Sequence, residues 1–252
     1  MALIKTPEQI KNIRQSARIL ANTLRRLKEY ADVGTNLLEL EDLARELIED
    51  AGGKPAFLGY HPDGAEKPYP YALCTSVNEI IVHGQPHSYQ LKEGDILSLD
   101  LGVNWRGGIS DAAITIPIGK INTQQEKLIE DTEESLKAGI RMAKAGNTLG
   151  DIGYAIESVI KKGGWFVVDG LTGHGVGEKL HEEPAVLNYG NPGEGTTLRS
   201  GMVLALEPMV SMGTERIKML DDDSFATFDG SMSAHFEHTI LITKNRAEIL
   251  TL

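Results

Sequence analysis

Apolar residues in the first part of the chain recur at helical steps. Ile10, Ile13, Ala17, Leu20, Leu24 and Leu27 fall three or four positions apart, which predicts an amphipathic helix over residues 7–31. Thr6-Pro7-Glu8-Gln9 marks its start as a capping box with proline at the first helical position. A second helix is predicted from Asn36, with Glu39 three residues on, to Gly52-Gly53. Residues 60–71 are rich in proline, contain Asp63-Gly64 and read as a loop. Residues 74–83, with Ile80, Ile81 and Val82, read as a strand. From Gly94 to Gly119 the period becomes two. Leu97, Leu99 and Leu101 alternate with Ile96, Ser98 and Asp100, and the alternation resumes from Ile109 to Ile116. This is a β-hairpin with its turn at residues 104–108 and one aspartate on each strand. The spacing of 11 puts Asp100 and Asp111 on one face if the loop is even and no bulge intervenes.

The order of elements then repeats. Thr123 and Glu126 predict a helix ending near Gly146; Thr148 and Asp151 predict another ending at Gly163-Gly164. Residues 165–168 read as a short strand and residues 170–191 as glycine-rich turns. Two final strands surround Leu204 and Ile240, separated by a polar loop containing Asp221-Asp222-Asp223. A shift of 112 lays Gly34, Leu37, Ile48 and Gly52 on Gly146, Leu149, Ile160 and Gly164. A shift of 107 lays Asp100 on Glu207, and one of 126 lays Asp111 on Glu237. Each half therefore presents a carboxylate on each strand of a pair. Packing gives no reason to repeat acids at such positions, so the alternative of two merely solvated aspartates loses ground.

Composition narrows the possibilities. The 252 residues are 41% hydrophobic and 24% charged, an ordinary balance for a soluble globular protein. A net charge of -11 argues against a general nucleic-acid or anionic-membrane binder. Cys74 is the only cysteine, which excludes a disulfide framework and a cysteine-based zinc site. No apolar run reaches membrane-spanning length, and the first ten residues lack a signal-peptide core, so the expected location is cytoplasmic.

Packed about a pseudo-twofold, the two halves would bring Asp100, Asp111, Glu207 and Glu237 to one centre. Four carboxylates cannot all stay ionised there without cations. They can hold two divalent ions about 3.5–4 Å apart if some of them bridge. Three histidines sit in glycine- or proline-flanked segments: His83 in Ile81-Val82-His83-Gly84, His174 in Gly173-His174-Gly175-Val176-Gly177, and His181 in His181-Glu182-Glu183-Pro184. Carboxylate with imidazole favours Mn, Fe, Co or Zn. His61, His87, His235 and His238 are read as structural or exposed. No His-Glu-x-x-His, Gly-x-Ser-x-Gly or P-loop pattern is present, which disfavours single-zinc protease, serine hydrolase and NTPase chemistry.

The series Asp100, Asp111, His174, Glu207 and Glu237, with the three histidine motifs, resembles type I methionine aminopeptidase over nearly the whole chain. The resemblance implies the α/β pita-bread fold: a mainly antiparallel central sheet backed by helices, in one catalytic domain with halves of about 1–119 and 120–252. It implies two divalent metal ions (Co, Mn, Fe or Zn) held by Asp100, Asp111, His174, Glu207 and Glu237, with Asp111 and Glu237 bridging. It also implies removal of the N-terminal methionine from nascent proteins and peptides by a metal-bound hydroxide, with preference for a small second residue. Glu207 would shuttle the proton, His181 would stabilise the oxyanion and His83 would lie by the substrate's amino end. Phe57, Tyr60, Cys74 and Leu180 would form the methionine pocket. The implied partners are nascent polypeptide N-termini, with transient ribosome contact and no nucleic-acid substrate or membrane, for a monomeric protein. The chain departs from the family pattern in the longer 60–74 segment, in Ala112 after Asp111, in Leu180 where an aromatic residue is expected, and in a missing tryptophan whose nearest substitute is Phe225. The closest rival is an Xaa-Pro aminopeptidase or dipeptidase of the same fold, whose members usually carry a further N-terminal domain. A rival of another class is a non-catalytic binding protein of this fold, whose members generally lose ligands.

Overall fold

A computed structural model describes residues 4–61 and 67–252. The Asp63-Gly64 turn lies outside the described residues. Helices α1 (Pro7–Tyr30) and α2 (Leu37–Asp50) lead into β1 (Lys54–Pro55), β2 (Leu73–Val77), β3 (Ile80–Val82) and the hairpin of β4 (Ile96–Trp105) and β5 (Gly108–Pro117). Helices α3 (Thr123–Met142) and α4 (Leu149–Gly163) follow, then β6 (Phe166–Val167), β7 (Gly173–Gly175), β8 (Glu182–Val186) and β9 (Val203–Leu206). The chain closes with β10 (Met209–Ser211), β11 (Ile217–Met219), β12 (Phe225–Thr227), β13 (Ser233–His235), β14 (His238–Ile242) and β15 (Ala247–Ile249). No helix among the described residues is long and apolar enough to cross a membrane.

The first two helices form where the periodicity placed them. Thr6 and Gln9 make both bonds of the capping box, and Asn36 caps α2 through Leu38 N–H. The α1 stripe of Ile13, Ala17, Leu20, Leu24 and Leu27 is buried against β4 and β5. Each buried leucine there contributes about 1.5–3 kcal/mol. Ser16, also on that face, donates to Val103 O at 2.6 Å and so satisfies its own buried hydroxyl.

Four boundaries differ from those the sequence predicts. The predicted strand over residues 74–83 is two strands, β2 and β3, because Asn78 takes a positive φ of 58° and breaks the ladder. The cap of α3 is Asn122, one residue before Thr123, because Asn122 and Gln125 exchange the capping-box bonds. The same helix stops at Met142, whose carbonyl accepts from Lys144 N–H at 2.9 Å and from Asn147 Nδ2 at 2.8 Å, rather than near Gly146. The hairpin turn is likewise tighter than residues 104–108. Trp105 pairs with Gly108, leaving Arg106 and Gly107 as a two-residue loop with φ of 52° and 81°. That even loop, with an unbroken ladder, meets the condition for Asp100 and Asp111 to share a face. Asp111 pairs with Gly102, two residues along from Asp100.

The repeat is written in hydrogen bonds as well as in sequence. Gly34 N–H donates to Leu91 O and Leu37 N–H to Tyr89 O; Gly146 N–H donates to Leu198 O and Leu149 N–H to Thr196 O. The bridge Asn36–Gln90 is matched by Thr148–Thr197. Among the described residues the paired strands form four antiparallel sheets. At the seam, Ala113 and Glu237 exchange backbone bonds of 2.9 and 3.4 Å. Two buried threonines flank that exchange. Thr239 Oγ1 accepts from Asp111 N–H at 2.9 Å and donates to Asp111 O at 2.7 Å. Thr115 Oγ1 accepts from His235 N–H and donates to His235 O, both at 2.8 Å. Each hydroxyl thus stands in for a missing ladder rung.

Candidate metal centre

Two strands and two gaps between strands bring the acids to one place. Asp100 and Asp111 come from β4 and β5, whereas Glu207 and Glu237 lie just outside the paired segments β9–β14 and β10–β13. Leu206 pairs with His238 and Met209 with His235, a single register that sets Glu207 opposite Glu237. Asn188 Nδ2 donates to Glu207 O at 3.0 Å and fixes the backbone in this gap.

His174 sits in the middle of β7, between β8 and β9. The flanking glycines have a steric cause. A Cβ on Gly173 would lie 2.4 Å from Ala205 O, and one on Gly175 would lie 2.4 Å from Glu183 O. The His174 Nδ1 contacts Gly175 O at 2.9 Å. A carbonyl only accepts, so Nδ1 carries the proton and Nε2 is left as a lone pair. That lone pair stands 3.4 Å from Glu207 Oε1 and 3.9 Å from Asp111 Oδ2.

Burial and mutual repulsion govern the electrostatics of the four acids. Asp100, Asp111 and Glu237 are 8%, 3% and 2% exposed. Asp100 Oδ1, Asp111 Oδ1 and Glu237 Oε1 have no hydrogen-bond partner. Burial, then repulsion from the other acids, pushes Asp100, Glu207 and Glu237 well above the usual carboxylate range. Burial raises Asp111 to about 7, against a lowering bond from Ala112 N–H. Burial, and then the neighbouring His181, lowers His174 to about 3. A neutral imidazole lone pair amid unpaired carboxylate oxygens is a donor set that fits divalent cations. Among the described residues two triads, Asp111–His174–Glu237 and Glu207–His235–Glu237, each bring three ligand atoms within 4.8 Å of one another.

A cavity of about 720 Å³ opens from these acids. His181 enters it beside His174, with ring centroids 4.4 Å apart at 83°. The Tyr60 hydroxyl meets His181 Nδ1 at 2.8 Å. His83 also lines the cavity, from a left-handed backbone conformation of φ 61°, its ring edge-on to Phe225 at 5.8 Å. Both rings are open to the cavity, yet the protein around them lowers their pKa, to about 4 for His181. Phe57, Tyr60, Cys74 and Leu180 all line the same cavity. Glu41 of α2 braces the wall by accepting from Ala72 and Leu73 N–H at 2.9–3.0 Å, just before Cys74. Burial, then the Asp100 charge, pushes the Cys74 thiol up, so it is a packing group rather than a thiolate nucleophile.

The segment carrying His181 is anchored from far away in the chain. Glu182 binds Lys5 Nζ at 2.5 Å, with side chains 3% and 1% exposed. Its other oxygen accepts from Glu178 and Lys179 N–H at 2.8 and 3.0 Å. The sequence reading included the His181-Glu182 motif but not this tie to Lys5.

All five proposed ligands and all six other proposed residues therefore meet around one cavity. The sequence reading passed over His235, grouped there with His61, His87 and His238. His235 is 1% exposed and its Nε2 lies 3.5 Å from Glu207 Oε2. The period-two rule could have found it, because residues 235 and 237 share a face. His238 points the other way and meets Thr251 Oγ1 at 2.9 Å.

The sequence profile described as Metallopeptidase family M24 matches residues 11–244. The chain belongs to metallopeptidase family M24. Within M24 it groups with proteins named methionine aminopeptidase. One from Clostridium perfringens is 45% identical, covering 100% of this chain and 99% of the relative. Methionine aminopeptidase 1 of Bacillus subtilis is 42% identical over 100% of this chain and 99% of its own. The crystal structure of methionine aminopeptidase from Thermotoga maritima superposes with a TM-score of 0.95 at 43% identity, covering 100% and 99% of the two chains. The mixed α/β architecture is thus the pita-bread fold of these M24 enzymes.

Proposed function

We propose that this chain removes the N-terminal methionine from nascent proteins and peptides, preferring a small second residue, as one catalytic domain of two pseudo-symmetric halves of about 1–119 and 120–252. The observation that carries the reading is the cluster of buried, unpartnered carboxylate oxygens facing a neutral imidazole lone pair at the floor of a partly apolar cavity. Asp100, Asp111, His174, Glu207 and Glu237 would hold two divalent ions among Co, Mn, Fe and Zn, with Asp111 and Glu237 shared. Such ions supply Lewis acidity, polarising a carbonyl and making water a stronger acid.

The residues do the rest. Glu207 takes a proton on a carboxylate oxygen and returns it to the leaving amine. His181 faces the scissile carbonyl through Nε2, since Nδ1 is occupied by Tyr60. To donate from Nε2 the ring must accept at Nδ1, so the Tyr60 hydroxyl donates and selects the tautomer. His83 lies by the substrate's amino end, and Phe57, Tyr60, Cys74 and Leu180 enclose the methionine side chain.

The test is a peptide panel after chelation and readdition of single metals. Met-Ala-Ser should lose its methionine only with metal, faster than Met-Lys peptides, and Glu207→Ala should cut kcat at least about a hundredfold. Faster cleavage of Ala-Pro peptides would make the chain an Xaa-Pro enzyme instead. Unchanged activity of Glu207→Ala would overturn the mechanism.

A further inference from the structure

Glu207 is flanked by two imidazoles, one on each carboxylate oxygen. His174 Nε2 is 3.4 Å from Oε1, and His235 Nε2 is 3.5 Å from Oε2. His235 is fully buried and neither of its ring nitrogens has a hydrogen-bond partner. An N–H left without an acceptor in the interior is destabilising, so apolar packing alone does not account for a histidine there. Its backbone is held on both sides, by the Thr115 hydroxyl and by pairing with Met209. The ring is therefore aimed by the strand.

The two rings differ in how their second nitrogen is treated. The His174 Nδ1–H is anchored to Gly175 O, the arrangement that frees Nε2 to ligate a cation. His235 has no anchor at Nδ1, so a proton there would be a buried orphan. The proton belongs instead on Nε2, where Glu207 Oε2 is in reach. A closing of roughly half an ångström gives a normal N–H···O separation of about 2.9 Å.

We infer that His235 is a positioning residue whose Nε2–H donates to Glu207 Oε2, turning Oε1 toward His174, with which it would hold a cation. The inference rests on the proposed function, because it assigns Glu207 to the ion bound with His174. One oxygen of Glu207 then serves the cation and the other is held by the protein, which fixes the carboxylate plane. A carboxylate that must ligate and also move a proton gains from having its rotation stopped.

The experiment titrates metal-free wild type, His235→Phe, His235→Gln and His235→Asn with Mn²⁺ by calorimetry, alongside kcat and KM on Met-Ala-Ser. Wild type that binds no Mn²⁺ would overturn the proposed function itself, before His235 is tested. Given binding, His235→Phe should weaken Mn²⁺ by about 10–100-fold and lower kcat with KM changed less than about twofold. The Gln amide can donate at similar reach and should recover most of the affinity; the shorter Asn should not. The Gln–Asn pair stands on its own if the Phe variant does not fold. Wild-type affinity in His235→Phe, or equal affinities for Gln and Asn, would overturn the inference. Pulsed EPR of the Mn²⁺ form should show one directly bound imidazole nitrogen. Two would make His235 a ligand and overturn the positioning role.

Discussion

Replacing Lys5 by Met tests whether a contact made before α1 holds the loop that presents His181. Lys5 and Glu182 form an ion pair of 2.5 Å with side chains only 1% and 3% exposed. Removing one partner leaves the other charge buried, which costs about 3–5 kcal/mol in such settings. Glu182 keeps two backbone N–H donors, from Glu178 and Lys179, so the low end of that range applies. At about 3 kcal/mol, and roughly 2–4 °C per kcal/mol for a chain of this size, the melting temperature should fall by about 6–12 °C. Double substitution with Glu182→Gln removes the stranded charge, and the cycle should return a coupling of at least about 2 kcal/mol. The pH dependence has a definite sign. Burial raises the Glu182 pKa, but Lys5 and the two N–H groups outweigh it and the net shift is downward. A depressed carboxyl pKa adds stability above its unfolded value and loses it as pH falls through the folded value. Lys5→Met should therefore show a smaller loss of stability below about pH 4.5 than wild type. Thermal unfolding followed by circular dichroism across pH 3–7 reads all of this. A shift under about 2 °C, or a coupling under about 0.5 kcal/mol, would refute the reasoning.

Two further outcomes follow from the centre. Asp100, Asp111, Glu207 and Glu237 have raised pKa values without metal, Asp111 to about 7, so the unfolded chain binds fewer protons than the folded one between about pH 4 and 7. Chelated protein should accordingly lose stability as pH rises through that window, and Mn²⁺ at pH 7.5 should restore it; a flat calorimetric profile would contradict this. Gly173→Ala puts a Cβ 2.4 Å from Ala205 O and must push β7 off β9, so Mn²⁺ affinity should drop at least about tenfold, with wild-type affinity as the refuting result.

The parts legible in the sequence were those whose cause is local. The α1 stripe, the Thr6 and Thr148 caps and the hairpin alternation each involve neighbours within a few residues, and each stands where it was read. The acids were legible because duplication wrote them twice. Beyond those, the chain's own pattern ran out. Strands β7 and β8 occupy the segment read as glycine-rich turns, and β10–β13 occupy much of the polar loop before Glu237. Most of these strands are three residues long, too short for a period to show, and partners distant in sequence stabilise them. Lys5 was silent for the same reason, being 177 residues from its partner. His235 is a different case: its period-two alternation with Glu237 is visible in the sequence and already places it on the face of a proposed ligand.

The threonine seam also sets an order of events for the growing chain. Thr239 clasps Asp111 across 128 residues, and Thr115 clasps His235 across 120. Neither clasp can close while the first half is alone, whatever its helices and hairpin have already done. The paired aspartates of β4 and β5 must wait, mutually repelling, for the second half to arrive with its acids, its imidazoles and the hydroxyl that locks Asp111. Metal capture then becomes a report that both halves have been made and joined. A chain interrupted before residue 235 would lack Glu237 and the far partner of both clasps, and so could not close the centre around Asp111.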